Sequence, residues 1–149
     1  VGAAFPSVEG KSLAGDVYKI PGDMKGKPAI FLIGYVQRAQ FDIDRWLIGL
    51  DMREVKTGVF ELPTIRGMAP RLFKNKIDSG MRKGIPEELW TAVITIYKDG
   101  DRVQKFTGNV NPGNARVALV DAEGKIRYFH DRGFSVGALN ELLKKIEGV

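Results

Sequence analysis

The residues of this chain best suited to chemistry stand together in one stretch, Tyr35-Val36-Gln37-Arg38-Ala39-Gln40, with Asp42, Asp44 and Arg45 directly after it. The stretch follows the apolar run Ala29–Gly34 and precedes Phe41–Leu50, where Ile43, Leu47 and Leu50 recur at helical spacing. It therefore lies where a strand's carboxyl end meets a helix N-terminus, the place where open α/β sheets hold ligands. A helix N-terminus already carries partial positive charge, so Arg38 gains nothing from its helix there. It suits an anionic partner: a carboxylate, a phosphate or an acidic side chain. The plainer alternative is that Asp42, four residues on, neutralises it. The candidate binding set is Tyr35, Gln37, Arg38, Gln40, Asp42 and Arg45.

Other chemistry finds little support. Asp42 and Asp44 favour the dipole of the helix they begin, and two residues apart they point to different faces, which disfavours a carboxylate dyad. Trp46 is expected in the core rather than as an exposed anchor. His130 is the only histidine, beside Asp131 and Arg132, and reads as a hydrogen-bonded surface residue. With no cysteine and one histidine, no metal site is expected. The common hydrolase and nucleotide-binding signatures are absent. Of Ser7, Ser12, Ser79 and Ser135, none stands in a nucleophile's context. Met24, Met52, Met68 and Met81 read as core filling. No catalytic residue and no cofactor are expected.

The elements that would position the candidate loop follow from pattern. At 149 residues the chain has the size of one domain, read here as 1–149 with an extended lead-in over 1–28 that turns at Phe5-Pro6, Glu9-Gly10 and Pro21-Gly22. Ala29–Gly34 is apolar on both faces, as a central strand covered by helices must be. Val59–Ile65 is a second strand, Pro70–Met81 a helix, Pro86-Glu87-Glu88 a helical turn, and Val93–Tyr97 a strand. Lys98-Asp99-Gly100-Asp101 predicts a tight turn, with the chain returning extended through Arg102–Phe106. Arg116–Val120 and Lys125–Phe129 flank a hairpin turn, and Ser135 caps a last helix carrying Leu139, Leu142, Leu143 and Ile146 inward. The order of elements gives an α/β or α+β sandwich.

The net charge of +5 is spread among acidic residues without a block of either sign, so it reads as a solvated surface; no basic helix points to nucleic acid. No run approaches the roughly 18 apolar residues of a membrane span. The sequence opens at Val1 with neither an initiator methionine nor a signal peptide, consistent with a leader or anchor ahead of it.

Gly26-Lys27-Pro28, the apolar strand and the helix after it resemble the strand and Cys-x-x-Cys helix of the thioredoxin-like superfamily, in particular membrane-anchored thioredoxins and peroxiredoxins. Val117-Ala118-Leu119-Val120-Asp121-Ala122-Glu123-Gly124-Lys125-Ile126 resembles their apolar-Asp-x-x-Gly-x-Ile hairpin, and the last helix their C-terminal one. Together these segments cover about half of the chain. Arg38 and Phe41 fall on the two cysteine positions, and the chain has no cysteine at all. The resemblance implies an α/β, thioredoxin-like fold with a central mixed sheet flanked by helices; thiol-disulfide exchange needs a thiolate, so it carries over the fold and not the activity. Family members also place a cis-proline before the hairpin strand; here that register holds Ala115-Arg116, while Leu62-Pro63-Thr64 mimics the motif too early. Phe41–Trp46, Glu61–Ile65 and Gly80–Pro86 also resemble bacterial envelope proteins and, faintly, a cysteine-poor mitochondrial assembly factor of ATP synthase. That resemblance implies a periplasmic or envelope location.

Two functions remain open. One is a non-catalytic binding or assembly module whose Tyr35–Arg38 loop holds a protein partner. The other is a pocket for a small molecule or anion, with scope for a non-thiol activity.

Overall fold

The computed structural model describes residues 2–24, 27–64, 81, 83, 87–97, 99–108 and 112–149. Its elements run β1 (Val8–Ser12), β2 (Val17–Ile20), β3 (Ala29–Gly34), α1 (Gln40–Met52), β4 (Gly58–Pro63), β5 (Ile94–Thr95), α2 (Gly100–Thr107), β6 (Arg116–Val120), β7 (Ile126–His130) and α3 (Val136–Glu147). Short 3-10 turns precede α1 at Gln37–Ala39 and β5 at Glu87–Ala92.

β3 lies inside a four-stranded sheet of order β4-β3-β6-β7, parallel to β4 and antiparallel to β6. Every residue of β3 and β6 is buried. Alternation sends Ala29, Phe31 and Ile33 to one face, against Val8, Ile20, Leu62 and Val103. Ile30 and Leu32 go to the other, against Ile43, Trp46 and Leu50 of α1 and Leu139 and Leu142 of α3. Each such side chain contributes about 1.5–3 kcal/mol by leaving water. Trp46 is wholly buried, edge-on to Phe134 with ring centroids 5.1 Å apart, as expected of a core residue. Ser135 caps α3, its Oγ accepting from the Ala138 N–H at 3.0 Å.

Asp121 fixes the β6–β7 turn by accepting from the backbone N–H groups of Glu123 and Lys125, both at 2.9 Å, and from Arg127 Nε at 2.6 Å. The Lys125 amide above all, with Arg127, holds its carboxyl below the usual range against the opposing effect of desolvation.

Three expectations need correction. Residues 1–28 are not a simple lead-in: β1 and β2 form a hairpin that pairs with β5 as a second sheet. Glu9-Gly10 is not a turn but lies within β1, where a Cβ on Gly10 would sit 2.5 Å from Ile94 Cγ2. The glycine answers a close approach of β5, not a bend. The segment Arg102–Phe106 is helical rather than extended, because Val103, Gln104 and Thr107 form one buried face of α2. The helix expected over 70–81 lies, apart from Met81, outside the described residues.

Candidate functional site

β3 ends at Gly34 and the chain passes through Tyr35 and the Gln37–Ala39 turn into α1, so the candidate loop stands at the sheet's carboxyl edge. Half-buried Tyr35 is held from α2: its hydroxyl contacts the Thr107 hydroxyl and donates to the Gly108 carbonyl at 3.0 Å. Arg38 is exposed, and its side chain lies across Gly113, where an added Cβ would come within 2.8 Å of Nε. Among the described residues no carboxylate lies within ion-pair distance of it.

The expected alternative, an Arg38–Asp42 pair, is not formed. Asp42 is 3% exposed and turned inward. Its Oδ2 accepts from the Ala115 N–H at 2.8 Å and its Oδ1 from the Phe134 N–H at 2.7 Å. One carboxylate thus ties the start of α1 to the start of β6 and to the segment before α3. It supports the loop from behind and offers no oxygen at the surface.

Gln40 faces the opposite flank of α1, its amide donating to Asp44 Oδ1 at 2.9 Å and Glu61 Oε1 at 3.1 Å. Arg45 is exposed one turn along α1, and Gln37 contributes its place in the 3-10 turn. Tyr35 thus packs against α2 and Arg116, Arg38 lies exposed across Gly113, Asp42 is turned inward to Ala115 and Phe134, and Gln40 is directed to Asp44 and Glu61. His130 Nε2 pairs with the Gly133 carbonyl at 2.7 Å, as a hydrogen-bonded histidine.

Two further residues lie outside that candidate set. Arg116, at the register where the family's cis-proline would fall, is 0% exposed. Its guanidinium donates to the carbonyls of Gly108 (3.3 Å) and Asn114 (2.8 Å) and lies 4.8 Å from the centroid of the Tyr35 ring. A buried cation thus braces the loop that carries the exposed Arg38. The available signal was an arginine opening an otherwise apolar strand.

Glu61 is the second, 9% exposed on β4. Strand parity puts it on the same face as Val59, toward α1. Burial pushes its carboxyl above the ordinary 4.5; the Gln40 hydrogen bond draws it back down, and nearby Asp44 raises it further. A carboxyl raised in the folded state favours folding fully below its unfolded value, and that contribution is lost as pH rises through the folded one. Stability should therefore fall with pH upward from about 4.5. Glu61→Gln should flatten that segment of a urea-denaturation pH series and be the more stable protein at neutral pH. An unchanged pH series would exclude a raised Glu61.

No protein-family model matches the chain, and no curated protein matches it. Solved structures do. The exposed lipoprotein thioredoxin Etrx1 of Streptococcus pneumoniae superposes with a TM-score of 0.65 at 15% identity, over 94% of this chain and 99% of that one. The thioredoxin domain of a thiol-disulfide oxidoreductase from Bacteroides vulgatus gives 0.61 at 19% identity, over 97% and 96%. Yeast Sco1 gives 0.64 at 12% identity, over 98% and 96%. Identities this low speak for the fold alone, and they agree with the resemblance carried by the β3–α1 segment, the β6–β7 hairpin and α3. The chain is a thioredoxin-like fold that contains no cysteine.

Proposed function

We propose that this protein is a non-catalytic binding or assembly module that holds a partner protein at the vacated redox position, through an acidic group on Arg38. The observation that carries this reading is an exposed arginine with no carboxylate within ion-pair distance among the described residues, on a loop whose neighbours Asp42, Tyr35 and Arg116 are held by hydrogen bonds and ring contact. The absence of cysteine removes thiol exchange from the same position. Desolvated or pre-positioned cations recognise carboxylates with specificity, and the bracing keeps the ordering cost of binding low. An envelope location accords with the lipoprotein among the structural neighbours. Among the described residues no helix is long and apolar enough to cross a membrane.

A titration of the isotopically labelled protein with an acetylated hexaglutamate peptide, followed by amide NMR, tests this. The Ala39, Gly113 and Asn114 signals should move together and saturate. Gly113→Ala, whose Cβ displaces the Arg38 side chain, should weaken the effect without unfolding the protein. Shifts confined to another face would refute the reading.

A second reading, a small anionic ligand, rests on a cavity of about 730 Å³ at the opposite end of β3. Tyr18 and Phe60 line it together with Lys27, Lys56 and Asp23. Its size is that of ligand sites in general.

A further inference from the structure

A cleft of about 250 Å³ opens between α1 and β4, away from the Arg38 loop. Leu47, Leu50, Val55 and Val59 wall it with aliphatic surface, and Glu61 and Asp51 are the charged side chains on its lining. Glu61 is the anomaly. It occupies an inward strand position where an apolar residue would pack, and it is only 9% exposed. A buried carboxylate needs a cation or several donors to offset its lost hydration. Among the described residues no cation lies within ion-pair distance, and its one hydrogen bond is the neutral Gln40 amide on Oε1. Asp44, which shares that amide, and Asp51 add negative potential to the same flank of α1.

We propose that this cleft binds a primary alkylammonium group, supplied by a lysine side chain of a partner polypeptide, with the stem against Leu47, Leu50, Val55 and Val59 and the ammonium on Glu61. Amphipathic stems of this kind bury their methylenes along apolar walls and keep the charged end on a polar group. The chemistry separates this occupant from its rivals. A guanidinium fork binds best to two carboxylate oxygens, and Gln40 already occupies one of them, whereas an ammonium is a point charge that needs only the other. A hard metal cation demands about six or more oxygen ligands for calcium, which aliphatic walls cannot supply. A free polyamine would bring further ammonium groups for which the lining has no buried acceptor beyond Glu61. The raised carboxyl of Glu61 is the state such a cation would reverse. The proposal is independent of the Arg38 surface and survives the failure of that reading.

The test is an amide-NMR titration of the labelled protein with Nα-acetyl-lysine-N-methylamide. The norleucine analogue, which keeps the stem and lacks the ammonium, the arginine analogue and n-butylammonium serve as comparisons. The lysine probe should shift Leu47, Leu50 and Val59 amides saturably. The norleucine and arginine analogues should bind at least tenfold more weakly, as should the lysine probe to Glu61→Gln. Equal binding of lysine and norleucine analogues to the unaltered protein would overturn the proposal, whatever the variant does. So would undiminished lysine binding by a folded Glu61→Gln. Tighter binding of n-butylammonium than of the blocked lysine would also overturn it, in favour of a free amine.

Discussion

Asp42→Ala should cost the protein roughly 2–6 kcal/mol of folding stability, twice the ~1–3 kcal/mol of one orphaned buried hydrogen-bonding group. The carboxylate serves two backbone donors, Ala115 N–H at 2.8 Å and Phe134 N–H at 2.7 Å, and at 3% exposure it shields both from bulk solvent. Against a typical total of about 5–15 kcal/mol, that loss is large enough to unfold a marginal domain. Asp42→Asn keeps one acceptor oxygen and sets an amide against the other N–H, so it should fall between the wild type and alanine. Urea denaturation of the three proteins measures this. A loss below about 0.5 kcal/mol for alanine, the range of an ordinary surface substitution, would contradict the tie between α1, β6 and the segment before α3.

Arg116→Ala should be the second most damaging change, at about 2–4 kcal/mol, by leaving a cavity and depriving the Gly108 and Asn114 carbonyls of a charged donor. Arg116→Met restores much of the volume but no donor, so it should recover only part of the loss. The effect should be local as well as global. Tyr35 loses the cation over its ring, and amide exchange at Tyr35 and Ala39 should quicken more than in β6 itself. If both variants proved as stable as the wild type, the buried charge would cost as much as its hydrogen bonds return, and it would not brace the loop.

Much of the fold was legible because it rests on local pattern. The doubly apolar run of β3, the stripe of Ile43, Leu47 and Leu50 and the Ser135 cap each express a period or a preference within a few residues. α2 was not legible. The turn signal of Lys98-Asp99-Gly100-Asp101 suggests a returning strand, although Arg102–Phe106 does not alternate in polarity and Val103, Gln104 and Thr107 share the buried face of α2; the contact that anchors the start of the helix is tertiary. Asp99, just before α2, accepts from the Glu9 N–H at 2.9 Å, a contact across 90 positions of sequence, and faces Arg102 at 3.5 Å. Gly10 misled for the same reason, since the β5 side chains that demand a glycine are remote in sequence. At the site, Arg38 was found because its charge opposes the helix dipole. Asp42 was found too, but its role came only with the two distant N–H groups it serves. Glu61 and Arg116 lay in strands read for their apolar neighbours, and only their burial marks them as unusual.

The proposed binding role of the Arg38 loop is tested by reversing Arg38 to glutamate, a change of an exposed side chain that should leave folding nearly untouched. Affinity capture from envelope and soluble extracts, with the wild-type protein and Arg38→Glu side by side and circular dichroism to verify the variant's fold, is the decisive measurement. The expected result is a partner held by the wild type and lost by the folded variant. A partner retained equally by both would show that binding uses another face and would contradict the proposed role of the Arg38 loop.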